Sequence, residues 1–233
     1  MNRADLNGVE VSVFSSDTEL LDYVAENDNN ILIAINALKI VHADDWFRNL
    51  VKRNLGYIDG AGPMLALKRK GYSDICKVSG CELWLKVVTR FSSNRRFYIV
   101  GGRHEVIEAS VSKLRKEFPG INIVGYHDGY MMSVQEHDKV KNEIILKKPD
   151  VVFVAMGSPK QEIFMEEMQR QHGAIYMGLG GSLDLYTDRV TRAPQWWIDH
   201  NLEFAYRLIR QPKRIKRQIH LLRFAWMLFS NKL

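Results

Sequence analysis

Residues 151–162 read Val-Val-Phe-Val-Ala-Met-Gly-Ser-Pro-Lys-Gln-Glu. The first five are a short apolar run of β-branched and aromatic residues, the pattern of a strand buried on both faces. Gly157 permits a tight exit from it. Ser158 suits a helix N-cap, Pro159 the first helical position, and Gln161 completes an S-x-x-Q capping box, so a helix over Lys160–Gln171 is expected. A strand, a glycine exit and a capped helix are one step of an α/β fold. The helix start would aim N–H groups and a partial positive charge outward, with Lys160 beside them. Gly157, Ser158, Lys160 and Gln161 are therefore candidates for holding an anion or phosphate. The same residues equally describe a well-capped helix and nothing more.

The step recurs on both sides of this stretch. Further strands are expected at Val9–Phe14, Ile31–Ile35, Leu55–Ile58, Phe97–Val100, Ile121–Tyr126 and Ala174–Met177. Helical patterns lie between them at Asp17–Glu26, Ala37–Arg53, Pro63–Lys70, Cys81–Phe91, His104–Phe118 and Val134–Lys147. This alternation predicts a mostly parallel sheet covered by helices on both faces. Ligands of such sheets bind beyond the carboxyl ends of the strands. Two more glycine exits fall there, Gly101-Gly102 and Gly178-Leu179-Gly180-Gly181-Ser182. One glycine exit is usually a turn; three at one sheet edge point to a nucleotide or pyrophosphate. None fits the Walker pattern or GxGxxG, which disfavours a dinucleotide oxidoreductase.

Polar groups sit at the same edge. Asp59 ends the strand at Leu55–Ile58, within Asp59-Gly60; it suits a turn, and it suits a general base acting on a hydroxyl beside a phosphate site. Asn36 ends the neighbouring run Ile31–Ile35. Asp184 follows the last glycine cluster and is a third candidate, or a helix cap. Metal chemistry is not expected: there is no DxD, the seven histidines lack ligand spacing, and Asp44-Asp45 suit the start of a helix. There is no GxSxG elbow. Charge would be neutralised by backbone N–H groups and Lys/Arg, with no cofactor.

The 233 residues, 46% hydrophobic and 26% charged, are ordinary globular composition. No signal peptide or membrane-spanning stretch is expected. Cys76 and Cys81 form no CxxC pair, in keeping with reduced structural thiols in the cytoplasm. The net charge of +6 is unevenly spread. From residue 189 onward there are ten Lys/Arg and two acids, a net +8, which leaves 23 basic against 25 acidic residues before it. Such asymmetry suggests an anionic partner for the terminal segment. Helices are expected at Gln195–Arg210 and Lys213–Phe229. In the second, Ile215, Ile219, Leu222, Trp226 and Phe229 share one face, while Arg214, Lys216, Arg217 and Arg223 lie elsewhere. A basic helix with Trp and Phe on its apolar side fits a membrane interface. It also fits a helix packed on the core or on another copy of the chain. The aromatics are not interleaved with the arginines, so nucleic acid is disfavoured.

Several stretches together resemble the WecG/TagA/CpsF family of bacterial glycosyltransferases over nearly the whole chain. They are Ala34-Ile35-Asn36-Ala37, Tyr57-Ile58-Asp59-Gly60, Lys77-Val78-Ser79-Gly80, Val100-Gly101-Gly102, Asp128-Gly129-Tyr130, Gly157-Ser158-Pro159-Lys160-Gln161-Glu162, Gly178-Leu179-Gly180-Gly181, Arg192-Ala193-Pro194 and the Pro212–Gln218 run. The resemblance implies a Rossmann-like core over 1–190 and a basic helical appendage over 191–233. It implies an inverting, metal-independent transfer from a UDP-sugar donor to a polyprenyl-diphosphate-linked sugar, at the inner face of the plasma membrane, in surface polysaccharide synthesis. It implies that Asp59 is the catalytic base. It places Asn36, Lys77 and Gln161 in the donor pocket, and Arg207, Arg214 and Arg217 over the site toward a diphosphate. The glycine exits, Ser158, Lys160, Asp184 and Arg192 complete the expected binding set. Two positions depart from the family pattern: Ala34 stands where many members carry Thr, and Lys77 where Arg is usual, without Arg's bidentate fork. The tail run favours an N-acetylmannosamine or N-acetylmannosaminuronate donor. A glucose donor, and a UDP-sugar-binding protein without catalysis, are the alternatives, and a homo-oligomer stays open.

Overall fold

The computed structural model describes residues 2–76, 78–200, 203–210 and 215–230. Lys77 and Arg214 lie outside the described residues, as do the side chains of Arg207 and Arg217. The chain is an α/β fold with an eight-stranded, mostly parallel sheet. Its strands are β1 (Asn2–Leu6), β2 (Val9–Val13), β3 (Asn30–Ile35), β4 (Leu55–Ile58), β5 (Arg96–Gly101), β6 (Asn122–His127), β7 (Val151–Ala155) and β8 (Ile175–Gly178), in the order β1-β2-β4-β3-β8-β7-β5-β6. Two compact units divide the chain. Unit 1 comprises Met1–Ser16, Ala34–Ser79 and Thr191–Leu233; unit 2 comprises Asp17–Ile33 and Gly80–Val190. β3 is itself divided, with Ala34 and Ile35 in unit 1.

In unit 1, β1 and β2 form an antiparallel hairpin pairing Leu6 with Val9, and β2 runs parallel to β4. The sequence expectation began at Val9 and missed β1. The hairpin turns on Asn7 (φ 59°) and Gly8 (φ 78°), both left-handed, as a two-residue turn between twisted strands requires. Only Ala4 and Leu6 of β1 are buried, so its apolar signal is weak. The helix expected over Ala37–Arg53 is two helices, α2 (Ala37–His42) and α3 (Asp45–Arg53). The chain breaks at Ala43-Asp44 because the Asp44 side chain accepts the Phe47 N–H at 2.8 Å and starts a new helix. α4 follows at Ala61–Arg69.

Unit 2 holds the most apolar strands. Every residue of β7 is buried, between β5 and β8 in parallel register, as its β-branched run predicts. Phe153 of β7 stacks on Phe97 of β5 and meets the edge of Trp84, which lies on α5 (Gly80–Phe91). α1 (Asp17–Glu26), α6 (His104–Glu117), α7 (Val134–Lys147), α8 (Lys160–Gln169) and the five-residue α9 (Ser182–Tyr186) complete this unit. Ser133 and Glu136 form a reciprocal capping box at the start of α7.

The C-terminal stretch belongs to unit 1 and carries α10 (Gln195–Asp199), α11 (Glu203–Arg210) and α12 (Ile215–Phe229). The single helix expected over Gln195–Arg210 is thus described as two. α12 packs beside α2, and its Phe224, Met227 and Leu228 are only 4–7% exposed. Leu222, Trp226 and Phe229, the described part of the expected apolar stripe, are 58–72% exposed. The helix is apolar on two sides, and its core contact uses the side that the spacing did not single out. Among the described residues, no helix is long and apolar enough to cross a membrane.

Candidate functional site

In unit 1, β3 and β4 end on Asn36 and Asp59. The Asn36 side-chain oxygen accepts the Lys39 N–H at 3.1 Å, which makes Asn36 the N-cap of α2. The Asp59 N–H donates to the Ile35 carbonyl at 2.9 Å. That bond continues the β3–β4 pairing by one residue and fixes the half-buried Asp59 at the strand end. Gly60 then turns with φ 86°, a left-handed conformation, and a Cβ there would meet no atom within 4 Å. A half-buried carboxylate with open space beside it, on a hydrogen-bonded strand end, is a geometry for a general base.

α12 lies against the helices that start from this edge. A Cβ placed on Gly62, near the start of α4, would lie 3.1 Å from the Phe224 ring and 3.2 Å from Ala37 Cβ. The rings of His42, on α2, and His220, on α12, meet edge to face at 4.2 Å between centroids. Burial, then the charges of His220 and Arg223, hold His42 below its ordinary value. Arg192 is half-buried in the same unit.

In unit 2, the three glycine exits differ. Gly101 (φ 125°) is where β5 crowds β7: a Cβ there would lie 2.4 Å from the Ala155 carbonyl oxygen. The Gly102 N–H donates to that same oxygen at 2.9 Å, and its carbonyl accepts the Gly129 N–H at 2.8 Å. The backbone groups of this exit are thus engaged in close strand packing. Gly157 (φ 74°), Gly180 (φ 53°) and Gly181 instead face open space, with nothing within 4 Å of a Cβ.

The capping box expected from Ser158 and Gln161 does not form. α8 begins after Pro159, which has no side-chain cap bond, and Ser158 stands outside the helix. The Gln161 side chain has other partners: its Oε1 accepts the Gly180 N–H at 3.0 Å, and its Nε2 donates to Glu162 Oε1 at 3.1 Å. The Gln161 N–H itself goes to the Gly157 carbonyl at 2.9 Å. Gln161, only 5% exposed, therefore links the exit of β7 to the exit of β8. A Cβ on Gly178 would lie 2.4 Å from Gln161 Nε2, so the amide rests directly on that glycine. Lys160 is exposed and Asp184 half-buried. Asp184 is the third residue of α9 and not its cap; its carbonyl accepts the N–H groups of Arg189 and Val190.

Sequence spacing gave no sign of the side chains that hold α9. Tyr186 Oη donates to Glu117 Oε2 at 2.6 Å, Lys113 Nζ donates to the Tyr186 carbonyl at 2.7 Å, and the Tyr186 ring meets Trp84 edge-on at 5.0 Å. These partners are 69 to 102 positions apart or on another helix face, beyond any local pattern.

Among the described residues, no group of three or more His, Cys, Asp or Glu side chains is placed to hold a metal ion. The family model described as "Glycosyl transferase WecG/TagA/CpsF family" matches residues 4–233. That span takes in every one of these strand ends, so the chain belongs to the WecG/TagA/CpsF family of glycosyltransferases.

Proposed function

We propose that the protein moves a sugar, of the N-acetylmannosamine or N-acetylmannosaminuronate type, from a UDP donor to a polyprenyl-diphosphate-linked sugar, with inversion and without a metal. The observation that supports this most is Asp59, half-buried and tied through its N–H to Ile35, beside the open Gly60. In this reading the Asp59 carboxylate takes the proton from the acceptor hydroxyl. The hydroxyl oxygen attacks the anomeric carbon, and the bond to the UDP oxygen breaks on the opposite face. Gly157, Gly180 and Gly181 leave room for the donor's diphosphate, with Lys160 close in sequence as countercharge. Asn36, Lys77 and Asp184 belong to the donor side, and Arg192, Arg207, Arg214 and Arg217 to the diphosphates. Gly101 and Gly102 serve this site through strand packing.

The exposed Leu222–Trp226–Phe229 face, with Arg223 also exposed, supports peripheral binding to an anionic membrane, where the lipid acceptor resides. The test is UDP release from a panel of UDP-sugars with a polyprenyl-diphosphate-GlcNAc analogue, for wild type and Asp59→Asn. Loss of about 10²-fold or more in kcat, with donor affinity kept, is expected for a general base. Near-full transfer by a folded Asp59→Asn variant would reject the assignment. Release that is independent of the lipid would reject the acceptor.

A further inference from the structure

The turn Gly178–Ser182 has open space over Gly180 and Gly181, and inside it the Ser182 N–H and hydroxyl both donate to the Leu179 carbonyl, at 3.0 and 2.7 Å. α9 beyond it has five residues and no side-chain cap, and a helix that short is not stable by itself. On the entry side the turn is fixed by Gln161, through the Gly180 N–H. On the exit side the fixing group is Lys113 of α6. Its ammonium donates to the Tyr186 carbonyl at 2.7 Å and sits 4.6 Å over the Tyr186 ring. The same ring is braced edge-on by Trp84 and holds Glu117 through its hydroxyl. Tyr186 is 9% exposed, and burial and Glu117 push its hydroxyl far above the ordinary range, so it stays a donor at all working pH. The ion pair from Lys113 to Asp188 at 3.6 Å is solvent-exposed and adds little. The carbonyl bond and the cation–π contact therefore carry the restraint.

We propose that Lys113, acting through Tyr186, is a positioning residue that presets the Gly178–Ser182 turn for the donor's diphosphate. This rests on the donor reading above. Lys113 touches no reacting group; it holds the last residue of α9, and α9 holds the turn. Preorganisation of this kind shows up in ligand affinity more than in fold stability.

The test uses the full chain with UDP as probe. Three readouts are taken: amide hydrogen exchange over residues 178–186 without ligand, UDP affinity by calorimetry, and the thermal midpoint. Lys113→Met removes both contacts of the ammonium with Tyr186, and Tyr186→Phe removes the hydroxyl bond to Glu117. Lys113→Arg keeps a cationic donor, and Lys116→Met removes one charge from the same helix without touching α9. Expected are faster exchange in both brace variants and UDP affinity weakened about tenfold for Lys113→Met. Lys113→Arg recovers most of that loss, and Lys116→Met stays within about twofold of wild type. Unchanged exchange in Lys113→Met would overturn the proposal. So would faster exchange with unchanged UDP affinity, or an equal loss in Lys116→Met, which would make the effect one of net charge. A wild-type protein that does not bind UDP would instead sink the donor reading. The brace is then judged by exchange alone: protection in wild type that is lost in both variants upholds it, and no difference rejects it.

Discussion

Gly101 shows how a single position can look functional and be structural. Its φ of 125° excludes most side chains, and a Cβ would lie 2.4 Å from the Ala155 carbonyl oxygen. Gly101→Ala should therefore destabilise the fold by more than about 1 kcal/mol, seen as a lower urea midpoint. Gly180→Ala has open space but a φ of 53°, so its penalty is strain alone and should be smaller. Asp150 sets a second residue-level effect. Burial would raise its carboxyl, but hydrogen bonds from the Arg96 side chain and backbone, with the charges of Arg96 and Arg95, outweigh that and leave it lowered. A lowered carboxyl stabilises the fold above its unfolded value and loses that contribution as pH falls through the folded one. Asp150→Asn should reduce the urea midpoint at neutral pH, and the gap to wild type should close as pH drops through the carboxylate range. Asp150 precedes β7, at the opposite end from the glycine exits, so donor affinity should not follow this pH trend.

At the scale of elements, α12 is the informative case. Phe224→Ala empties a buried contact and should cost about 3 kcal/mol, measured as a lower midpoint for release of the helix. Replacing Leu222, Trp226 and Phe229 together by Ser should leave that midpoint within about 0.5 kcal/mol of wild type. The same variant should lose most of its binding to anionic vesicles in a sedimentation assay. His42 adds a pH response to the same contact. Burial, then His220 and Arg223, hold its value below 6.5, so the contribution of this contact to stability should be complete above that pH and should fall, as a lower urea midpoint, when His42 gains a proton. The strands β4 and β7 and the helices α1 and α7 were legible to the residue, because their apolar runs or caps are local signals. β1 was not, since a half-exposed edge strand buries only Ala4 and Leu6. The packing face of α12 was not either, because Phe224, Met227 and Leu228 are spaced as helically as the stripe that stays exposed. The Ser158 capping box failed on both halves: the Gln161 N–H goes to the Gly157 carbonyl, and the Gln161 side chain is used by Gly180, nineteen positions on.

For the whole molecule, charge was the most legible property and spatial grouping the least. The shift near residue 190 marks a basic appendage by composition, yet residues 191–233 group with Met1–Ser16 and Ala34–Ser79. Contacts at such separations leave no periodic trace. The strand ends of the candidate site were legible as positions, since a parallel sheet puts polar residues after each strand at one edge. What engages those residues was not: Asn36 caps α2, and Gln161 holds a neighbouring turn. With ten of 33 basic residues beyond position 188, vesicle binding should need charge as well as the apolar face of α12. Raising salt from about 0.1 M to 0.5 M should weaken it steeply, while UDP affinity changes far less.

The seat of Phe224 on Gly62 and Ala37 has a consequence for how this protein can vary. Gly62 is the second residue of α4 and Ala37 the first of α2, three positions after Asp59 and one after Asn36. A methyl group gained at position 62 would press on the Phe224 ring at 3.1 Å. The change would be felt first in α12, toward the far end of the chain. Position 62 thus answers to two packing demands at once, one from Ala37 beside it and one from Phe224, more than 150 residues away.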